Sequence, residues 1–228
     1  MEDAMKRMQV LAVIAVAVVL LVSVVLVAYA RGNRNPGVLP PTSRVQGLAY
    51  GDWAANWWQY VLSVPADQNP LGDATEACIL QWVGNVGLVV GNCAVGTPIQ
   101  CTVPAGKMLF VEVLGAECST LEEGPFYGED EAGLRDCAQA FVPQELQASI
   151  DGVEVRDLSK YIVTSPLYGF TVPEDNVLGV PAGSGQSVAS GAYLMLSPLS
   201  PGKHTIHLHG TYPDFEFTAD KTFILTVE

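Results

Sequence analysis

The chain has 228 residues, with 24 acidic and 11 basic side chains and a formal net charge of −13. The first thirty residues hold two acids and two bases, so the whole acidic excess lies in the rest of the chain. Binding to a phosphate backbone needs clustered lysine and arginine, so this charge argues against a nucleic-acid-binding protein. It also disfavours attraction of the domain to anionic lipid head groups.

The N-terminal region contains a long apolar run. Val10–Ala30 has no charged side chain, and Ser23 and Tyr29 are its only polar residues. As a helix rising about 1.5 Å per residue, this run would span roughly 30 Å, the thickness of a bilayer's hydrocarbon core. We therefore expect residues 1–30 to form an N-terminal transmembrane anchor, with residues 10–30 inside the lipid.

A cleavable signal peptide is the alternative. The apolar run of a signal peptide is normally about 7–15 residues, which is shorter than this one, but Ala28-Tyr29-Ala30 matches the small-x-small pattern of a cleavage site. Cleavage after Ala30 therefore stays open. The charged residues on either side of the run give little indication of its orientation across the membrane. All five cysteines follow it, and disulfides persist outside the cytoplasm. We expect a single-pass bacterial inner-membrane protein with its C-terminal domain in the periplasm or extracytoplasmic space.

The chain after the apolar run divides into a tether and one domain. Residues 31–47 contain three prolines and three glycines, which predicts an extended Pro/Gly-rich tether. Residues 48–228 are numerous enough to bury one sizeable core. We expect them to form one extracytoplasmic, disulfide-braced β domain.

A helix is predicted at the start of this domain. Residues 50–65 carry aromatic and aliphatic side chains at three- and four-residue spacing, with Asp52 as a candidate N-cap and Pro65 as a stop. Trp58 lies about 100° from the apolar stripe and is predicted to be exposed, where tryptophan is typical of interfaces. The interface candidates are Tyr50, Trp53, Trp57, Trp58 and Tyr60.

The remaining elements are predicted to be mainly β. An acidic loop over 116–131 precedes a short helix over 130–141. In residues 148–155, Asp-Gly favours a tight hairpin because it supplies the positive φ angles that the turn needs. Many short strands separated by glycine and proline favour an antiparallel β-sandwich, Ig-like or jelly-roll-like, with one or two short helices. The predicted strands are 108–114, 161–165, 168–172, 191–196, 203–212 and 221–227.

The cysteines predict two disulfides and one free thiol. Five cysteines allow 15 such arrangements. We favour Cys78–Cys101 and Cys118–Cys137, because each pair closes a loop of about twenty residues and contributes roughly 3 kcal/mol. Cys93 is then unpaired, with no assigned role. The spacing is not C-x-x-C, so it supports neither a zinc ribbon nor a redox pair.

The HLHG segment is a weak metal candidate. His207 and His209 fall on one face of a predicted strand, because side chains alternate along it. Two imidazoles on one face are a starting point for a copper or zinc site. The chain has only three histidines, however, and His204 points to the opposite face. Histidines on a solvated strand face are therefore the favoured interpretation.

The acidic residues and the serines show no catalytic motif. The acids of the 116–131 segment lack calcium-loop spacing, and a solvated loop is favoured. A hydrolase would need two of them to meet at about 5–10 Å in the fold. There is no G-x-S-x-G motif, and PAGSGQS at 181–187 is interpreted as a flexible loop. We expect no catalytic residue and no cofactor. The acids in question are Glu117, Glu122, Glu123, Glu129, Asp130 and Glu131.

Several motifs resemble a family of uncharacterised secreted or membrane-anchored bacterial proteins. They are YGDWAANWWQY, CTVPAGKMLFVEVLGAECS and LSPLSPGKHTIHLHGTY, and the resemblance covers residues 48–228. In that family the cysteines that match Cys78, Cys101, Cys118 and Cys137 are the regular ones, which agrees with the favoured pairing. The chain departs from the pattern at GLVVGN and at the His207/His209 pair. The family has no known activity, so it implies location and domain extent only.

These features together favour a non-catalytic role. We expect an accessory or structural subunit that docks on a membrane protein complex, for which a respiratory or photosynthetic assembly is a natural host. Its partners would be the subunits of that complex and, through residues 10–30, the bilayer. Two rivals stay open: a module that binds glycan or cell-wall polymer through Trp58 and nearby tyrosines, and a hydrolase whose acids converge only in the fold.

Overall fold

The structure is a computed structural model that describes residues 35–71, 78–91 and 98–228. The predicted anchor over residues 1–30 and the thiol of Cys93 lie outside the described residues. Within the described part of the chain, neither helix has the length and hydropathy that a bilayer crossing requires.

The described residues form eleven β-strands, arranged in two sheets, and two α-helices. Helices α1 (Tyr50–Ser63) and α2 (Glu131–Ala140) accompany a six-stranded sheet in the order β1-β2-β4-β9-β7, in which β8 also pairs with β9, and a five-stranded sheet in the order β3-β11-β10-β5-β6. The strands are β1 (Ile79–Val83), β2 (Val86–Val89), β3 (Ile99–Val103), β4 (Met108–Ser119), β5 (Gln144–Ile150), β6 (Val153–Glu154), β7 (Ile162–Thr164), β8 (Tyr168–Val172), β9 (Gly183–Leu196), β10 (Gly202–Tyr212) and β11 (Phe217–Val227).

The sheets form a mainly β, sandwich-like arrangement, but they are mixed and not purely antiparallel. Strand β2 pairs with β4 in parallel, and β3 pairs with β11 in parallel. The chain leaves the first sheet after β2, adds β3 to the edge of the second sheet, and returns as β4. A parallel pair needs such a crossover, and the residue pattern within one strand does not reveal it.

The long central pair β4–β9 corrects two loop predictions. Strand β4 continues through Ser119, into the predicted acidic loop, and β9 begins at Gly183, inside the predicted PAGSGQS loop. Gly115 and Gly191 face each other in this ladder. A Cβ on Gly191 would clash with the Gly115 backbone, so the glycines that favoured a loop prediction instead allow two buried strands to approach closely.

Helix α1 packs its tryptophans against the first sheet. Trp57 donates its indole N–H to the Val89 carbonyl at 2.9 Å, and Tyr50 donates its hydroxyl to the Leu39 carbonyl at 2.6 Å. The N-cap is Ala49 and not Asp52; the Asp52 carboxylate, three residues into the helix, accepts from the Ala49 N–H at 2.8 Å. The predicted helix is therefore present, with its cap shifted by one turn.

Residues 36–47 belong to the same compact unit as the rest of the domain. The Leu39 N–H donates to the Met195 carbonyl at 2.8 Å, and Val38 and Val45 are both buried. The prediction of an extended tether over residues 31–47 is therefore wrong from residue 36 onward. Prolines and glycines there shape a strap that covers the end of β9.

The structure contains the two favoured disulfides. Cys78 is joined to Cys101, and Cys118 is joined to Cys137. The second bridge fastens α2 to β4. The short helix predicted over residues 130–141 is present as α2, and Asp130 caps it by accepting from the Gly133 N–H at 2.8 Å.

We expect the double substitution Cys118→Ala/Cys137→Ala to lower the free energy of unfolding by about 3 kcal/mol, because the unfolded chain regains the entropy of a loop of 19 residues. The measurement is urea unfolding followed by the fluorescence of the four tryptophans. Wild-type protein reduced with dithiothreitol is the control. An unchanged midpoint would show that the bridge does not brace the fold.

Candidate functional site

A pocket of about 300 Å³ opens beside the end of β4. Its wall is formed by the β4 end, the following loop, the segment after α2, and the turn between β10 and β11. It combines apolar rings with two carboxyl groups, those of Glu117 and Glu122. The aromatic residues that line it are Trp58, Phe126, Phe141, Tyr212, Phe215 and Phe217.

Four phenylalanines form an aromatic patch at the mouth of this pocket: Phe126, Phe141, Phe215 and Phe217. Phe141 stacks on Phe126 at 4.8 Å and on Phe215 at 4.9 Å between ring centroids. Phe215 and Phe217 remain 47% and 41% exposed. Large aromatic side chains that stay exposed side by side are unusual on a monomer surface and are typical of binding sites.

Separate elements hold the patch in place. Phe141 ends α2, which the Cys118–Cys137 bridge ties to β4. Phe215 closes the short 3₁₀ turn Pro213–Phe215 between β10 and β11. The Phe126 carbonyl accepts from the N–H of Ser119 at the end of β4. The patch therefore rests on anchored backbone and not on a free loop.

Glu117 and Glu122 form a hydrogen-bonded carboxyl pair at the pocket wall. Glu117 is only 4% exposed and also accepts from the hydroxyl of Ser187 on β9. Ser119 donates its hydroxyl to Glu122 at 2.9 Å, and Ser187 hydrogen-bonds with the Tyr168 hydroxyl at 2.9 Å. The prediction of a solvated acidic loop is wrong for Glu117, because β4 carries this residue into the interior, whereas Glu122 lies half-buried in the loop that follows.

Burial raises the pKa of both members of the carboxyl pair. The pKa of Glu117 is raised well above its ordinary value, first by desolvation and then by the neighbouring Glu122. The pKa of Glu122 is also raised by desolvation, while its hydrogen bonds to Glu117 and Ser119 act in the opposite direction. A hydrogen bond between two carboxyls needs a proton on one of them, and the more deeply buried Glu117 is the group that retains it.

A second buried polar group lies behind the pocket. Glu112 and Lys221 are 4% and 3% exposed, and the Lys221 Nζ lies 3.6 Å from a Glu112 carboxylate oxygen. Lys221 also donates to the Glu112 carbonyl at 3.2 Å. Burial raises the pKa of Glu112 to about 7, although Lys221 acts to lower it. Within the described part of the chain, Glu112 Oε1 has no hydrogen-bond partner.

The tryptophans predicted as interface residues are buried. Tyr50, Trp53 and Trp57 are at most 2% exposed. The prediction that Trp58 is exposed is wrong: it is 9% exposed and donates its indole N–H to the Tyr193 hydroxyl at 2.8 Å. The reason is that β8 and β9 cover the flank of α1 as well as its apolar stripe. Tyr60 is half-buried and lines a separate, larger cleft.

The histidines of HLHG share one carboxylate. His207 Nε2 lies 3.0 Å from one oxygen of Asp220, and His209 Nδ1 lies 3.3 Å from the other. His204 pairs instead with Asp151 at 2.7 Å. Among the described residues, no three histidine, cysteine, aspartate or glutamate side chains are arranged to hold a metal ion. The two histidines and Asp220 thus form a hydrogen-bonded cluster on a half-exposed strand face.

Sequence reasoning missed the aromatic patch. Its rings come from segments that are far apart in the chain, and only Phe141 lies on a periodic stripe, that of the helix predicted over 130–141. The one local signal is the segment PDFEF at 213–217, in which two phenylalanines alternate with acids beside a turn. That pattern is typical of the exposed start of a strand. It becomes recognisable as part of a site only in the folded structure, where Phe126 and Phe141 lie beside Phe215.

The comparisons with known proteins add no functional information. No protein-family model and no curated protein matches the chain. A solution structure of amebosin is similar over 57% of this chain and 88% of its own, at 11% identity and a TM-score of 0.18. A similarity this weak carries no argument about fold or function.

The carboxyl pair predicts how stability depends on pH. Because the folded Glu117 holds its proton to a higher pH than the unfolded one, stability is fully present below the ordinary carboxyl pKa of about 4.3 and falls as the pH rises toward the raised value. We expect Glu117→Gln, which mimics the protonated acid, to lose less free energy of unfolding than wild type between pH 5 and pH 8. The free energy of unfolding of each protein is measured by urea unfolding at pH 5 and at pH 8.

The exposed neighbour Glu123 supplies the matched control for that comparison. Glu123→Gln removes one charge from the same loop, and we expect it to retain the wild-type pH dependence. Equal pH dependence in wild type and Glu117→Gln would contradict the proton assignment.

The buried Glu112–Lys221 pair predicts a non-additive mutant cycle. We expect Lys221→Met to lower the free energy of unfolding by about 3–5 kcal/mol, because it leaves a buried carboxylate without its partner. The double variant Glu112→Leu/Lys221→Met removes both charges and should regain most of that loss. Thermal and urea unfolding of the two single variants and the double variant measure the coupling, and strict additivity would show that the groups do not interact.

Proposed function

We propose that this chain is a non-catalytic, membrane-anchored extracytoplasmic subunit that docks on a membrane protein complex. The aromatic patch at the pocket mouth is its docking surface. The observation that carries the proposal is that Phe215 and Phe217 remain nearly half exposed on a domain whose other large aromatics are mostly buried. Anchoring by residues 10–30 would keep this surface near its membrane partner and so raise the effective concentration of the docking surface at that partner.

The neighbourhood of the patch supports the same role. Tyr127 and Val142 adjoin Phe126 and Phe141 in the chain and are 48% and 57% exposed. An aromatic centre with a charged and polar rim is the usual anatomy of a protein-protein interface. Glu123 of the loop after β4 and Asp214 and Glu216, which flank Phe215 in the chain, are exposed and give the patch an acidic rim. This rim disfavours a bare lipid surface as the occupant, because anionic head groups would be repelled.

The two rival functions find less support. A glycan site would need an exposed tryptophan or tyrosine platform on α1, but Trp58 is buried there. A glycosidase needs its two carboxyls about 5 Å or more apart, so that a sugar oxygen or a water fits between them. Glu117 and Glu122 instead hydrogen-bond to each other directly, which leaves no such space.

We expect the double variant Phe215→Ser/Phe217→Ser to fold but to lose its partner, because it removes the exposed apolar anchors while leaving Phe126 and Phe141 stacked. The measurement is affinity purification of the full-length chain from its native membrane in mild detergent, with quantification of co-purifying subunits. Val153→Ser is the matched control, since Val153 is 56% exposed on β6 in the second sheet. Recovery of wild-type protein without any stoichiometric partner would overturn the proposal.

A further inference from the structure

We propose that the aromatic patch takes a basic segment of the docking partner, in which arginine or lysine side chains stand beside apolar ones. Phe215 and Phe217 hold this segment, and the exposed acids beside them steer it to the surface. The inference rests on the proposed function, because it names the chemistry of the partner that docks there.

Three exposed acids adjoin the rings of the patch. Asp214 and Glu216 flank Phe215 in the chain, and all three of these residues are exposed. Glu123, which is also exposed, belongs to the turn that carries Phe126, and its carbonyl accepts from the Phe126 N–H at 3.0 Å. The acids therefore lie next to the rings that a partner would contact.

The chain segments that form the patch are poor in basic residues. No lysine or arginine occurs between Lys107 and Arg135 or between Lys203 and Lys221, and these two segments supply all the rings of the patch except Phe141. Lys107 and Lys203 stand at the starts of β4 and β10, whereas the patch lies where these strands end. At roughly 3.3 Å per strand residue, that separation is about 30 Å.

Two basic residues lie nearer to the patch, and both are already paired. The Arg135 guanidinium donates to Glu131 at 2.8 Å and to the Ser165 carbonyl at 3.2 Å. Lys221 is 3% exposed, and its Nζ lies 3.6 Å from a carboxylate oxygen of Glu112. The exposed charge beside the rings is therefore negative, and it attracts cationic groups.

This charge disfavours two other occupants. If a second copy of the chain met the patch face to face with its own patch, the same acids would stand opposite one another, and like charges oppose such a pair. Anionic lipid head groups would be repelled in the same way. A basic segment instead brings charge of the opposite sign.

The exposed rings determine what should accompany the basic groups. A guanidinium that stacks on a phenylalanine face keeps its N–H edge free to donate to a carboxylate. One arginine of the partner can therefore contact Phe215 and one of its flanking acids together. Apolar side chains beside that arginine gain free energy by covering the exposed ring area of Phe215 and Phe217.

The acids and the phenylalanines act on different steps of association. Charges at the rim of an interface change mainly the association rate and its salt dependence, whereas buried aromatic anchors and most other contacts act on dissociation. We therefore expect the acids to set how fast the segment arrives and the phenylalanines to set how long it stays.

The test uses a fluorescently labelled decapeptide of alternating arginine and leucine. Its binding to the full-length protein in a neutral detergent is measured by fluorescence anisotropy. We expect the affinity to fall roughly tenfold between about 0.05 M and about 0.5 M NaCl, because salt screens exposed charges. Peptides in which glutamate replaces arginine, or serine replaces leucine, should bind at least several-fold more weakly.

Substitution of the acids and of the rings should have different kinetic effects. At low salt, Glu123→Gln/Asp214→Asn/Glu216→Gln should weaken binding of the arginine–leucine peptide several-fold, chiefly through a slower association rate. Phe215→Ser/Phe217→Ser should instead raise the dissociation rate and leave the salt dependence in place. Stopped-flow fluorescence measures both rates.

The matched control is Glu154→Gln/Asp157→Asn/Glu228→Gln. It removes the same charge from three exposed acids that lie on β6, in the following turn and after β11, and it should bind the peptide like wild type. Equal weakening by both triple variants, equal affinity for the glutamate–leucine peptide, or affinity that does not change with salt would overturn the inference.

Co-purification separates this inference from the docking proposal. If Phe215→Ser/Phe217→Ser loses its membrane partner but the variant without the three acids of the patch retains it at low and high salt, the inference fails and the docking proposal stands. If wild type has no stoichiometric partner but binds the arginine–leucine peptide with the expected salt dependence, the docking proposal fails. The preference of the patch for basic, apolar segments then stands by itself.

Discussion

The antiparallel ladder between β4 and β9 is the constraint on which the rest of the domain depends. Its register runs from Leu109 opposite Leu196 to Ser119 opposite Ser187. The half near Leu109 is packed between α1 and the second sheet and forms the core. The half near Ser119 carries Glu117, Ser187 and the Cys118 bridge, so the same two strands that bury the apolar core also fix the geometry of the pocket.

Burial of the Glu112 and Glu117 carboxyls in this ladder costs free energy that burial of apolar side chains at the same positions would not. Glu112 is compensated by Lys221, whereas Glu117 is compensated by a shared proton and by the hydroxyl of Ser187. Unpaired charge in the interior costs several kcal/mol, so a pair that stays protonated is the less costly arrangement.

The sequence predicts the local elements better than their assembly. The α1 stripe, the short helix over 130–141 and the Asp-Gly turn at 151–152 follow from short-range rules of spacing and backbone conformation. The mixed sheets, the strap at 36–47 and the continuation of β4 through Glu117 do not, because each depends on contacts made far along the chain. Glycine and serine in β9 predicted a loop for the same reason: their small size is used in packing that no local window contains.

The same distinction explains why the proposed binding surface is formed by phenylalanines and not by tryptophans. The rings of Trp53, Trp57 and Trp58 are buried, because α1 packs against β7, β8 and β9 of the first sheet and large aromatic side chains contribute much of the apolar area of a core. Phe215 lies on the short turn between β10 and β11 of the second sheet. Its ring stacks on Phe141, but the side chain stays 47% exposed. An exposed ring of this kind gains more from a partner than from the fold. Because the exposed acids Asp214 and Glu216 flank it, the docking that we propose favours a partner surface that presents apolar groups beside basic ones.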